Sequence, residues 1–246
     1  MTPRAFTVVT LLLFLPAACV TGPAPAAEGR RTFEACLAQG REFLSHKLYG
    51  QAAAEFQAAI AIKPDSAVAH NGLGLCCLRQ QDYDAAVELF EKSVALDPAY
   101  AEAYSNLGGA YSLRLQFAQA EEAYRKALSL SPALAAPNYW LGILLTNLGR
   151  NEEGAALITR GYALDPGFLQ NNRETLASYD SLAYDMREAY FVLAAACASA
   201  GNVEQTLGYL SRAKAAGFTD WERIKKDKDF VKVRNDPRIR KFISGL

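Results

Sequence analysis

The sequence predicts an all-α chain built as a solenoid of stacked helix pairs, and three observations carry that expectation. Residues 67–134 are one pattern written twice. At an offset of 34 residues, His70, Leu73, Gly74, Cys77, Ala86, Phe90, Ser93, Leu96 and Pro98 fall on Tyr104, Leu107, Gly108, Tyr111, Ala120, Tyr124, Ala127, Leu130 and Pro132. The same ruler extends backward to residues 33–66 and forward to 135–168. Finally, each copy closes on a proline, which cannot continue a helix and pushes its predecessor toward extended geometry. A fixed period of this length marks repeats in which no helix pair can bury its apolar face alone, so stability requires stacked neighbours.

Within a copy, Gly74 and Gly108 lie in mid-helix, where glycine costs about 1 kcal/mol against alanine. Each therefore marks a place where a second helix comes very close, with Ala86 and Ala120 expected as the small residues facing them. The first unit, 33–66, keeps Cys36, Gly40, Phe43, Tyr49, Ala52, Phe56, Ala59, Ile62 and Pro64 in register, with Gln39 where leucine is usual. The fourth, 135–168, keeps Leu141, Gly142, Leu145, Ile158, Leu164 and Pro166. Gly154 and Gly161 replace the small alanines of its second helix, which predicts a softer helix and makes this unit the expected weak point.

The register breaks at residues 169–186, an 18-residue insertion rich in Asn, Ser and Tyr. It reads either as a lengthened connection or as a contact loop presenting Tyr179 and Tyr184, since insertions in solenoids gather on one face. A fifth pair resumes over 187–220 with Tyr190, Leu193, Ala194 and Cys197, then Gly201-Asn202 as helix stop and N-cap, then Leu207, Leu210 and Ala213. Residues 221–246 form a basic cap: Phe218, Trp221 and Ile224 can share a helical face, and Asp236-Pro237 opens a last helix through Ile239, Phe242 and Ile243. Capping the final apolar face is its simplest role.

The motif (aromatic, Leu-Gly, aromatic, a small residue in the next helix, aromatic, proline) resembles the tetratricopeptide repeat. The resemblance implies a right-handed α-solenoid of about five helix pairs with C-terminal capping helices, in which the first helices line a concave groove. Carried over from the family, the groove residues of the first three units are Leu37, Arg41, Asn71, Leu75, Arg79, Ser105, Asn106 and Ser112. In the fourth they are Tyr139, Trp140, Ile143 and Asn147, and Phe191 follows in the fifth. That mixed polar and aromatic lining suits a peptide or helix segment of another protein, without excluding that Tyr139 and Trp140 simply pack on the next helix. The carboxylate clamp of some chaperone-binding relatives is not expected beside Arg41, because Leu37, Gly72 and Glu102 stand where it wants Lys, Asn and Lys.

Address and chemistry come from the remaining sequence. Arg4 followed by the apolar residues 6–15 reads as a signal peptide spanning 1–19. Leu15-Pro16-Ala17-Ala18-Cys19 resembles a bacterial lipobox with Pro16 out of pattern, which would lipidate Cys19, and residues 20–32 would be a Pro/Ala tether. Simple secretion with cleavage near Ala26 is the alternative. Cys36, Cys76, Cys77 and Cys197 match no zinc spacing and read as buried small hydrophobes, Cys76 being offset from the packing register and so the candidate for a bridge or reactive thiol.

With 26 basic and 26 acidic side chains the chain does not look like a nucleic-acid binder. No nucleophile elbow, zinc-protease helix or phosphate-binding loop occurs, and His46 and His70 read as a turn and a packing residue, so neither an enzyme nor a cofactor is expected. The expectation is a binding scaffold of the cell envelope, resembling pilus-assembly and outer-membrane-assembly lipoproteins, held to the membrane if Cys19 is modified, with self-association left open. Two alternatives stand beside it: an adaptor presenting substrates to an envelope protease or wall hydrolase, and a glycan or small-molecule module using Tyr139, Trp140 and Tyr179.

Overall fold

The computed structural model describes residues 31–181 and 184–246, with side chains at all of these except 178–181. Cys19, the signal segment 1–19 and nearly all of the 20–32 tether lie outside the described residues. So does the side chain of Tyr179.

Eight helices form four consecutive antiparallel pairs: α1 Phe33–Ser45 with α2 Tyr49–Ile62, α3 Ala67–Arg79 with α4 Tyr83–Leu96, α5 Ala101–Leu113 with α6 Phe117–Leu130, and α7 Ala135–Asn147 with α8 Asn151–Leu164. After α9 (Phe168–Asn171) and α10 (Arg173–Ser181), the pair α11 Met186–Ser199 and α12 Val203–Ala215 resumes the array. The short α13 Glu222–Lys226, a 3-10 turn Lys228–Phe230 and α14 Pro237–Ser244 end it. Among the described residues there are no strands, and the chain is the all-α solenoid its repeats require.

The copying extends to individual hydrogen bonds. In each hairpin turn the same amide closes on the same carbonyl: Leu48 on Phe43 at 2.9 Å, Asp82 on Cys77 at 2.9 Å, Gln116 on Tyr111 at 2.9 Å, Arg150 on Leu145 at 2.8 Å, and Asn202 on Cys197 at 3.0 Å. One residue of each turn must adopt the left-handed conformation to allow this. It is Lys47 (φ 60°), Gln81 (65°), Leu115 (60°), Gly149 (79°) and Gly201 (79°). Only the last two are the glycine that such a position prefers.

Between the helices of a pair, the mid-helix glycine faces a ring rather than an alanine. A Cβ on Gly40 would stand 2.9 Å from Phe56, on Gly74 2.7 Å from Phe90, and on Gly108 2.7 Å from Tyr124. Ala86 and Ala120 are fully buried one turn away, but the aromatic four residues later takes the space that the glycine leaves. These rings are 0–1% exposed, and burying each contributes roughly 1.5–3 kcal/mol.

The fourth pair departs from the expectation of softness. A Cβ on Gly154 would lie 2.7 Å from the Gly142 carbonyl oxygen, and one on Gly161 3.0 Å from the Tyr139 ring. Both glycines let α8 press against the backbone and ring of α7. Their cost in helix propensity is offset by contact, and Leu141, Ile143, Leu144, Leu145 and Ile158 are almost wholly buried there.

The C-terminal segment closes the last pair with an aromatic seam. Phe218 stacks on Phe191 at 4.5 Å, Trp221 meets Phe218 edge-on at 5.0 Å, and Phe242 meets Trp221 at 5.7 Å. Phe218 and Trp221 precede α13 instead of sharing a helix with Ile224: Gly217 (φ 91°) ends α12 and bends the chain there. Asp236 caps α14 by accepting from the Arg238 amide, with Pro237 in its first turn. Part of the basic run is used inside this cap. Arg223 pairs with Glu188 at 2.7 Å and lies 4.2 Å over the Phe191 ring.

Candidate functional site: the concave face and its insertion

The sequence-derived groove residues divide into three groups. Arg41 is exposed, Leu75 and Asn106 are half-buried, and Asn71 is largely covered. These form a polar stretch across α1, α3 and α5: the Asn106 side-chain amide donates to Asn71 Oδ1 at 2.9 Å, and Asn71 Nδ2 donates to the Tyr100 hydroxyl at 3.3 Å. Burial raises the Tyr100 pKa, and the nearby Arg41 charge draws it partly back, so Arg41 belongs to the same neighbourhood.

A second group lies in the packing. Leu37 and Ser105 are 6% exposed, Tyr139 is 1%, Trp140 7%, Ile143 0% and Phe191 0%. Tyr139 stacks on Phe168 of α9 at 5.3 Å, Trp140 meets the same ring edge-on at 5.7 Å, and the Tyr139 hydroxyl donates to the Asp165 carbonyl at 3.0 Å. Both aromatics therefore pack on the next helix, where Phe168 covers them.

The third group is engaged by the insertion. Arg79 Nη1 donates to Thr175 Oγ1, the Tyr184 hydroxyl donates to the Ser112 carbonyl at 3.2 Å, and Asn147 Oδ1 accepts from the Asp185 amide at 2.7 Å. Lys47 of the first hairpin turn pairs with Glu174 at 2.5 Å and holds that carboxyl below the usual range. Leu176 is 1% exposed, Leu169 3% and Tyr184 8%, and Tyr184 meets Phe117 edge-on at 5.3 Å. Residues 168–181 and 184–185 thus run across the ends of α1, α3, α5 and α7. What the spacing left as either connector or contact loop is a strap that contacts this chain's own first helices.

The strap is not closely packed. A cleft of about 220 Å³ lies between it and Leu78, Arg79, Tyr83 and Leu113, and one of about 510 Å³ separates it from α11 and α12, where Arg173 and Arg212 line the wall. Its seating was not legible, because Glu174 and Thr175 carry no repeat signal. Phe168 was passed over as well, although an apolar residue just past a helix-ending Asp-Pro-Gly is a signal that could have found it.

Elsewhere the chemistry is structural. His70 is 8% exposed, with Nδ1 2.9 Å from the Ser66 carbonyl, and His46 ends α1. Cys36, Cys76, Cys77 and Cys197 are all buried, so Cys76 is as inaccessible as the others, its Sγ donating to the Gly72 carbonyl at 3.3 Å. Among the described residues no group of three or more His, Cys, Asp or Glu could hold a metal ion, and no helix is long and apolar enough to cross a membrane.

Models of the family described as Tetratricopeptide repeat match residues 37–101 and 101–134. Curated proteins give no match to this sequence. Among solved structures, the chain is similar to a thermophilic TPR protein in Thermus thermophilus, at 19% identity over 87% of this chain and 98% of that one, with a TM-score of 0.54. It is similar to the MamA protein at 19% identity over 80% and 95%, TM-score 0.50. MamA from Desulfovibrio magneticus matches at 15% identity over 75% and 94%, TM-score 0.50. At such identities the likeness is one of fold. The repeat models, the 34-residue copying of turns and glycine-ring contacts, and these folds agree: residues 37–134 are tetratricopeptide repeats, and the chain has the fold of an array of them.

Proposed function

We propose that this chain is a non-catalytic scaffold that holds a peptide or helix segment of another protein along its concave face. The observation that carries this reading is that the face already receives a helix: α10 is seated through Arg79 and Lys47, and its following segment through Ser112 and Asn147. A surface that binds one segment through side chains and a backbone carbonyl has the chemistry to bind another. The polar stretch Arg41, Asn71, Asn106 and Tyr100 extends that surface toward the first unit.

The proposed setting is the cell envelope, with the chain exported and tethered through Cys19. It is supported by Arg4, the apolar residues 6–15 and the Ala17-Ala18-Cys19 sequence. Photo-crosslinkers placed at Arg41, Leu75 and Asn106 in cells test the binding role: a discrete partner should be captured from these sites and lost on Arg41→Ala with Asn106→Ala. Capture only from the outer faces of α4 and α6 would overturn it. Labelling with a palmitate analogue, abolished by Cys19→Ser, tests the anchor.

A further inference from the structure

We infer that the strap is an internal competitor for the partner's place, and that the partner segment is therefore a short helix with the strap's own chemistry: an acidic residue, then a hydroxyl residue, then leucine. This rests on the concave-face binding role proposed above and names what that face takes.

The lane that receives the strap is built from four units. The Lys47 ammonium meets Glu174, the Arg79 guanidinium meets Thr175, and the Ser112 carbonyl and Asn147 side chain take the chain as it leaves toward α11. Leu78 and Leu113 add apolar wall beside Glu174 and Thr175. Cations at one end, apolar surface beside them and acceptors at the exit select an acidic, amphipathic helix over a basic or polyproline segment.

Three features favour release of α10, whose buried anchor is Leu176. The strap interrupts two units that otherwise follow the same register, and α11 packs directly against α7 and α8, so the array is joined across the insertion by its own helices. Lys47 and Glu174 each have side chains 64% exposed, where water screens their attraction. Clefts of about 220 and 510 Å³ flank α10, leaving contacts unmade on two sides, which is the character of a segment that opens locally. Both ends of the strap are tied to the array, giving it an effective concentration in the millimolar range. A free helix of equal intrinsic affinity therefore binds only weakly until the strap is released.

The test uses the full chain and a fluorescein-labelled peptide with the sequence of residues 168–185, followed by anisotropy. The Leu176→Asp variant, in which a buried anchor becomes charged, should bind the peptide at least about ten-fold more tightly than the unaltered chain. Adding Arg79→Ala with Lys47→Ala to that variant should reverse the gain, and a peptide with Glu174→Lys should bind at least about ten-fold more weakly. If Leu176→Asp loses helicity, Glu174→Arg releases the strap by repulsion from Lys47 and Arg79 with the leucine kept, and the unaltered peptide should then gain affinity in the same way.

Equal binding to intact and released chains, or none to either, overturns the inference. The crosslinks from Arg41 and Asn106 separate the two failures: partner capture there with no peptide effect removes only the competitor, whereas loss of both removes the groove reading as well.

Discussion

Gly108 and the ring of Tyr124 share one space: a Cβ on the glycine would stand 2.7 Å from Cδ1 of the tyrosine. The ring is 0% exposed, so it has nowhere to withdraw. Gly108→Ala should destabilise the array by about 1–3 kcal/mol through overpacking. Combined with Tyr124→Leu, which removes the obstructing ring, the double variant should lose less than the sum of the two singles. Urea unfolding of the four members of that cycle checks the coupling. At Gly154 the neighbours are the Gly142 carbonyl oxygen and the Thr146 methyl, both at 2.7 Å, and the Thr146 amide nitrogen at 3.0 Å, so trimming the Thr146 side chain leaves the backbone clashes of Gly154→Ala in place.

The hairpin turns contain stability that has been left unused. Lys47, Gln81 and Leu115 sit at φ 60–65°, where Gly149 and Gly201 sit in the later turns. A left-handed residue with a side chain costs roughly 1–2 kcal/mol. Gln81→Gly and Leu115→Gly should each raise the thermal midpoint, with part of the gain lost to the greater freedom of glycine in the unfolded chain. Gly149→Ala should lower it. Leu115 is also 44% exposed, so its removal takes little apolar contact away.

Acid should loosen the junction of α6 and α8. Glu121 bridges Arg125 at 2.8 Å and Arg150 at 2.7 Å, and Glu153 closes the ring to both arginines. Burial pushes the Glu121 carboxyl up, but the hydrogen bonds from Arg150 and Arg125 outweigh it. Its pKa lies below 4.5, as does that of Glu153, where the Arg125 hydrogen bond leads. A depressed carboxyl contributes stability that is present above its unfolded pKa and is lost as pH falls through the folded one. Urea midpoints should therefore hold above pH 4.5 and decline below it. In Glu121→Gln with Glu153→Gln the decline should be shallower, from a lower plateau.

The four thiols of the described residues should be silent in the folded protein. Cys36, Cys76, Cys77 and Cys197 are at most 1% exposed, and burial pushes the Cys197 thiol up to about 12. A disulfide reagent at about pH 8, near the ordinary thiol pKa, should react with them only on unfolding. A rapid native reaction at Cys76 would contradict its packing against the Gly72 carbonyl.

How much of this could be read in advance follows from the nature of the signals. The helix pairs were legible because Gly, Pro and aromatic residues recur at fixed positions, and each is dictated by a steric need that every unit shares. The partner of each glycine was misassigned to Ala86 and Ala120, since spacing reveals that two helices approach but not which side chain fills the gap. The fourth unit was read as soft from propensity, which does not register that Gly154 and Gly161 are placed for contact. The groove list came from a rule for an open array. It named Arg79, Ser112 and Asn147, but could not foresee that an inserted segment without repeat character would settle on them, or that Phe168 would cover Tyr139 and Trp140.

The two tryptophans of the chain stand in its later half, Trp140 against Phe168 in the fourth unit and Trp221 in the terminal seam. Their emission is thus a natural gauge of that half alone, while circular dichroism records every helix. If the early units melt independently of the later ones, the two signals will part company along a denaturant gradient. The separation would reveal how far cooperativity travels through a stack whose repeats touch their neighbours and are spanned by one strap.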